Sequence, residues 1–114
     1  MLHRQYFPIR PVPWQRTGGN GRSRYKEKRT RDFENAVAML YRGPTYDGPV
    51  AVRIDIHTDG FWLAIHDVEN SRPKHCRGDI DNLAKAVLDG LQLDGGAIRN
   101  DNKVHQLGIK MGKD

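Results

Sequence analysis

Two carboxylates and an ammonium lie close together in R-G-D-I-D-N-L-A-K-A-V-L-D-G-L, residues 77–91: Asp79, Asp81 and Lys85. A third carboxylate, Asp101, follows twenty residues after Asp81. In an extended segment alternate residues project to one side, so Asp79 and Asp81 are expected to point at a common spot. A helix followed by a returning strand would bring Asp101 back to the level of that spot. Convergent carboxylates repel unless a cation lies between them. An all-oxygen donor set with no thiolate nearby favours a hard ion, Mg²⁺ first and Mn²⁺ second. Such an ion polarises a phosphate and lowers the pKa of a bound water. Lys85 lies one helical turn beyond Asp81, where its ammonium could steady a metal ligand or meet charge building on a phosphate. The free N–H groups at a helix start add a further anion site.

The same residues also have an ordinary explanation. Asp before a helix is a common N-cap, and Asp81–Lys85 has the spacing of an exposed i,i+4 pair, giving only ~0.3–0.5 kcal/mol. The distribution of charge favours the chemical reading. The net charge is +5. Residues 1–57 carry 11 Lys and Arg against 5 Asp and Glu, and residues 58–114 carry 8 against 9. Seven of those cations fall within residues 16–31: Arg16, Arg22, Arg24, Lys26, Lys28, Arg29 and Arg31, against a single acid, Glu27. A cationic stretch flanked by Trp14 and Tyr25 suits a phosphate backbone and unstacked bases. Arg72, Lys74 and Arg77 lead directly into the carboxylates and extend the expected DNA contact. Acids for a metal, a lysine for phosphate and a basic stretch for a polyanion together read as phosphodiester hydrolysis.

These side chains need a scaffold, and 114 residues are enough for one domain. Residues 3–9 predict a short strand, closed by prolines at 8, 11 and 13 that cannot donate to a ladder. A basic, glycine-containing loop then runs into a helix over about 24–42, on which Phe33, Ala36, Val37, Leu40 and Tyr41 recur at helical spacing. Val50, Val52, Ile54 and Ile56 alternate with polar residues, as do Phe61, Leu63 and Ile65. Asp59-Gly60 between them predicts a two-residue hairpin turn that sets Ile56 opposite Leu63 and Ile54 opposite Ile65. A second helix is predicted over about 81–92, with Leu83, Ala84, Val87, Leu88 and Leu91 as its apolar stripe. K-V-H-Q-L-G-I-K predicts a last strand. The order β-α-β-β-α-β describes an α+β fold, two helices packed on one small mixed or antiparallel sheet.

D-I-D-N-L-A-K-A-V-L-D-G-L, followed after a short turn by N-D-N-K-V, resembles the signature of the RusA-type Holliday-junction resolvases. The resemblance covers about residues 77–110. It implies a small, homodimeric, Mg²⁺-dependent endonuclease that cuts branched DNA, of a kind common in phages and prophages. Four-way junctions are the expected substrate, with flaps and forks as further candidates. It also implies metal-binding roles for Asp79, Asp81 and Asp101 and a supporting catalytic role for Lys85. The family usually has two adjacent acids at the later position, where this chain has Asn100 before Asp101. A branched-DNA-binding module with a degraded metal site is the rival expectation.

Other features bound the setting. Cys76 is the only cysteine, so no intramolecular disulfide is expected and a reducing, cytoplasmic compartment is the simple assumption. No run approaches the ~18 apolar residues of a membrane span, and no signal peptide is legible. His57, His66, His75 and Cys76 lack the paired spacing of a zinc site.

Overall fold

A computed structural model describes residues 1–13, 21–70 and 72–112, with the side chains of 21–27 outside the description. The elements run β1 (Leu2–Phe7), α1 (Gly21–Leu40), β2 (Val50–Ile56), β3 (Phe61–Asp67) and α2 (Ile80–Leu91), then a 3₁₀ turn at Asp101–Lys103. Among the described residues this is an α+β fold of two helices and a three-stranded antiparallel sheet in the order β1-β3-β2. It divides into two compact units, Met1–Asn70 and Ser71–Asp114.

The first unit is built around two stacked rings. Phe7 on β1 is fully buried and lies parallel to Phe61 on β3, with centroids 4.8 Å apart. Phe33 on α1 meets Phe61 at 6.1 Å, which fixes the sheet face that the helix covers. Gln5 on that same face closes the helix. Its Nε2 donates to the Leu40 carbonyl at 2.6 Å, and its Oε1 accepts from the Arg42 N–H at 3.0 Å. A helix leaves its last carbonyls unpaired, so this amide from a distant strand decides where α1 ends. The β2 column of the same face stays open, with Val52, Ile54 and Ile56 52, 55 and 70% exposed.

The hairpin register differs from the expected one. Ile54 pairs with Leu63 and Ile56 with Phe61, two residues away from the predicted partners. The turn lies one residue earlier than expected, at Thr58-Asp59, with the His57 N–H donating to the Gly60 carbonyl at 2.8 Å across it. Gly60 lies so close to β1 that a Cβ there would strike the Phe7 carbonyl and the Tyr6 ring. The turn is therefore shaped by a third strand, which local turn chemistry cannot anticipate. A slip of two preserves the faces, so the apolar residues still share one side.

Two further expectations are corrected. Helix α1 starts at Gly21, three residues before the expected 24, so Arg22 lies on it with Arg24, Lys26, Lys28, Arg29 and Arg31 and not in the loop. Arg16 and Trp14 lie outside the described residues. The K-V-H-Q-L-G-I-K segment forms no strand in this structure. Its alternation is weak: Val104 is half-buried, whereas Leu107 and Ile109 are 59 and 46% exposed.

Candidate active site at the start of helix α2

The second unit carries all three aspartates and Lys85. The loop before α2 is held by one guanidinium. Arg72 Nη1 donates to the Cys76 carbonyl at 3.2 Å and to the Gly78 carbonyl at 2.9 Å. The backbone has positive φ at His75 (61°) and at Gly78 (100°), so the chain turns sharply just before Asp79. Gly78 adopts a conformation that side chains rarely tolerate. Arg72 thus sets the angle at which the first carboxylate is presented, a role that sequence spacing did not reveal.

Asp79 occupies the N-cap position of α2 with extended backbone (φ −79°, ψ 147°). Its side chain makes no capping hydrogen bond. The ordinary explanation for an aspartate at this position is therefore not realised, and its exposed carboxylate remains available. Asp81 is the second residue of the helix and is also exposed. The helix begins one residue earlier than expected, so the pair straddles the change from extended to helical backbone and does not sit on one extended segment. An acid here is favoured by the helix dipole, and the first-turn N–H groups face an incoming anion.

Lys85 does not pair with Asp81. Its Nζ lies 3.8 Å from Asp89 Oδ1, with both side chains more than half exposed. A pair of that kind is weak, which leaves the ammonium free to reorient toward a phosphate.

Asp101 is placed elsewhere. Its backbone N–H donates to Gln92 Oε1 at 3.1 Å, while Gln92 Nε2 donates to the Leu88 carbonyl at 3.0 Å. Ile98 N–H also donates to the Leu91 carbonyl, so the turn after α2 folds onto the C-terminal end of the helix. Asp79 and Asp81 stand at the other end, and eleven residues of rise from Asp81 to Gln92 amount to roughly 16 Å. Among the described residues no three His, Cys, Asp or Glu side chains form a group able to hold a metal ion. The expected meeting of all three carboxylates is not found. The returning strand that was to carry Asp101 back does not form, and Gln92 holds it at the far end. Asn100 serves the local backbone instead: its Oδ1 accepts from the Asn102 N–H at 2.9 Å and caps the 3₁₀ turn.

The donor set nevertheless suits Mg²⁺ at the start of α2. That ion is commonly bound through one or two carboxylates together with waters and substrate phosphates, which Asp79 and Asp81 alone could satisfy. Of the basic residues expected to meet DNA, Lys28, Arg29 and Arg31 are exposed on α1, and Lys28 bonds Asp32 at 3.3 Å. Lys74 and Arg77 are exposed in the loop before Asp79.

An α+β fold with two exposed carboxylates at a helix start has groups suited to a cation or, through its first-turn N–H groups, to a phosphate. The chain matches the family Endodeoxyribonuclease RusA over residues 8–114, and it belongs to that family. It is thereby a nuclease of the deoxyribonucleic-acid-cutting kind. No curated protein and no solved structure matches it. Among the described residues no helix is long and apolar enough to cross a membrane.

Proposed function

We propose that this chain is an Mg²⁺-dependent, structure-selective endonuclease that hydrolyses phosphodiester bonds in branched DNA, four-way junctions above all, and acts as a homodimer. The observation that carries the reading is Asp79, an N-cap aspartate whose carboxylate caps nothing, beside Asp81 in the stretch that bears the family signature. Asp79 and Asp81 would hold the ion, with Asp101 as the third donor that the family pattern implies. Bound there, the ion would supply Lewis-acid polarisation of the phosphate and a more acidic water. The chain's own part is to place the phosphate. First-turn N–H groups of α2 receive its oxygens, and Lys85, released from Asp89, meets charge developing on them. Arg77 and Lys74 line the approach, and the basic turns of α1 bind the backbone of a duplex arm. Two symmetric nicks across a four-way junction need two sites related by a two-fold axis, which supports the dimer.

One observation favours a second reading. Asp101 is tied to Gln92 at the far end of α2, and Asn100 stands where the family usually has an acid, as expected of a junction-binding module with a weakened centre. Incubating synthetic four-way junctions with the protein, with and without Mg²⁺, separates the two. Metal-dependent symmetric nicking that is lost in Asp81→Asn is expected. Tight junction binding with no cleavage at any Mg²⁺ or Mn²⁺ concentration would establish the binding module instead.

A further inference from the structure

The sheet face opposite α1 carries aromatic and cationic side chains that neither the carboxylates nor the basic helix account for. Strand register places them in rows across β1, β3 and β2. Tyr6, Trp62 and Asp55 form one row, Arg4, Ala64 and Arg53 the next, and Leu2, His66 and Ala51 the third. Trp62 and Tyr6 are 37 and 38% exposed, and their rings meet at 5.3 Å with a 56° tilt. The Arg4 guanidinium lies 4.8 Å from the Trp62 ring centroid. Small residues in the second and third rows leave a depression about 540 Å³ in volume, lined by Leu2, Ala51, Arg53, Ala64 and His66.

We infer that this face is a second nucleic-acid surface, one that takes an unpaired DNA strand with a base against Trp62 and a phosphate over Ala64 between Arg4 and Arg53. Strands in a sheet are ~4.8 Å apart, so the Cα atoms of Arg4 and Arg53 flank Ala64 at a separation of about 10 Å. Two long guanidinium side chains at that separation can close on one phosphate between them. Arg53 is 78% exposed and bonds Asp55 at 3.3 Å, an exposed pair that a phosphate can displace. Asp55 is the sole acid in the three rows. Asp67, at the rim of the depression, is neutralised by the Met1 ammonium at 2.8 Å. Arg4 lies over the Trp62 ring and swings off it toward the phosphate as a base takes that face.

A duplex keeps its bases stacked inside, whereas a strand freed at a branch point exposes π-faces to an aromatic platform. The inference rests on the DNA-cutting reading for its choice of polyanion but makes no use of the aspartates, so the two can fail separately. Trp14→Phe leaves Trp62 as the only tryptophan. In that background an oligothymidylate of about ten nucleotides, added without metal, should quench Trp62 emission saturably. Trp62→Leu and Arg4→Ala/Arg53→Ala should each weaken oligothymidylate binding by roughly tenfold, while Trp62→Phe retains most of it. Oligothymidylate that binds by anisotropy without changing Trp62 emission would overturn the inference, as would no binding at all. Loss of self-association in Trp62→Leu with unchanged oligonucleotide affinity would also overturn it and make the face a protein contact. Junction nicking, measured in parallel, tests the DNA-cutting reading separately.

Discussion

The Asp101 N–H donates to Gln92 Oε1, and that hydrogen bond of 3.1 Å fixes the third carboxylate at the C-terminal end of α2. If Asp101 is drawn to the ion held by Asp79 and Asp81, the bond has to break first. Gln92→Ala should then lower the Mg²⁺ concentration giving half-maximal cleavage, at a cost of about 1 kcal/mol in stability. A metal titration of both proteins checks it, and an unchanged midpoint would remove Asp101 from the ion's ligands.

Asp81→Asn should abolish junction cleavage and leave binding intact or tighter, because a metal ligand and a negative charge facing phosphate are removed together. Asp79→Asn should do the same. Its unfolding midpoint should stay put, since the carboxylate caps nothing that the substitution could release. An N-cap aspartate in its usual role would cost ~1 kcal/mol on replacement by Ala, so thermal unfolding of Asp79→Ala tells the two roles apart.

Lys85→Ala should slow the cutting step far more than it weakens DNA affinity, because its ammonium acts as charge builds on the phosphate. Single-turnover nicking with saturating enzyme isolates that step. Stability should hardly change, as the lost partner, Asp89, is exposed. Equal losses in binding and cleavage would make Lys85 a backbone contact.

Arg72→Ala removes the donor to the Cys76 and Gly78 carbonyls. Cleavage should fall with little change in the salt dependence of binding, since the guanidinium positions Asp79 through the loop. Gly78→Ala should reproduce the defect, because φ of 100° strains any side chain by ~1–3 kcal/mol. A reduced salt slope in Arg72→Ala with normal cutting would assign Arg72 to the DNA backbone.

Changing Arg22, Arg24, Lys26 and Lys28 together to Ala should weaken binding to all duplex arms. The slope of log affinity against log salt should drop by ~0.9 per lost contact. Alanine sustains a helix, so α1 and its Phe33 contact should survive, as circular dichroism would report. An unaltered slope would show that these turns of α1 face solvent.

Features that depend on neighbours a few positions apart were legible in the residues alone. The 3.6-residue stripe from Leu83 to Leu91 marked α2 to within a residue at each end, and the two alternating runs marked β2 and β3 with their shared face. D-I-D-N-L-A-K with the later aspartate was enough for the family. Features that depend on partners far along the chain emerged only on folding. Gln5 ends α1 from 35 residues away, and the contact of Gly60 with β1 moves the hairpin register by two. Arg22 lies on α1 and not in the expected loop, because that helix opens at Gly21. Asp101 was expected beside Asp79 on the strength of a strand that does not form, and a glutamine amide holds it at the other end of the helix. Periodicity is written in local spacing. Which carboxylates meet is set by hydrogen bonds whose partners the spacing does not name.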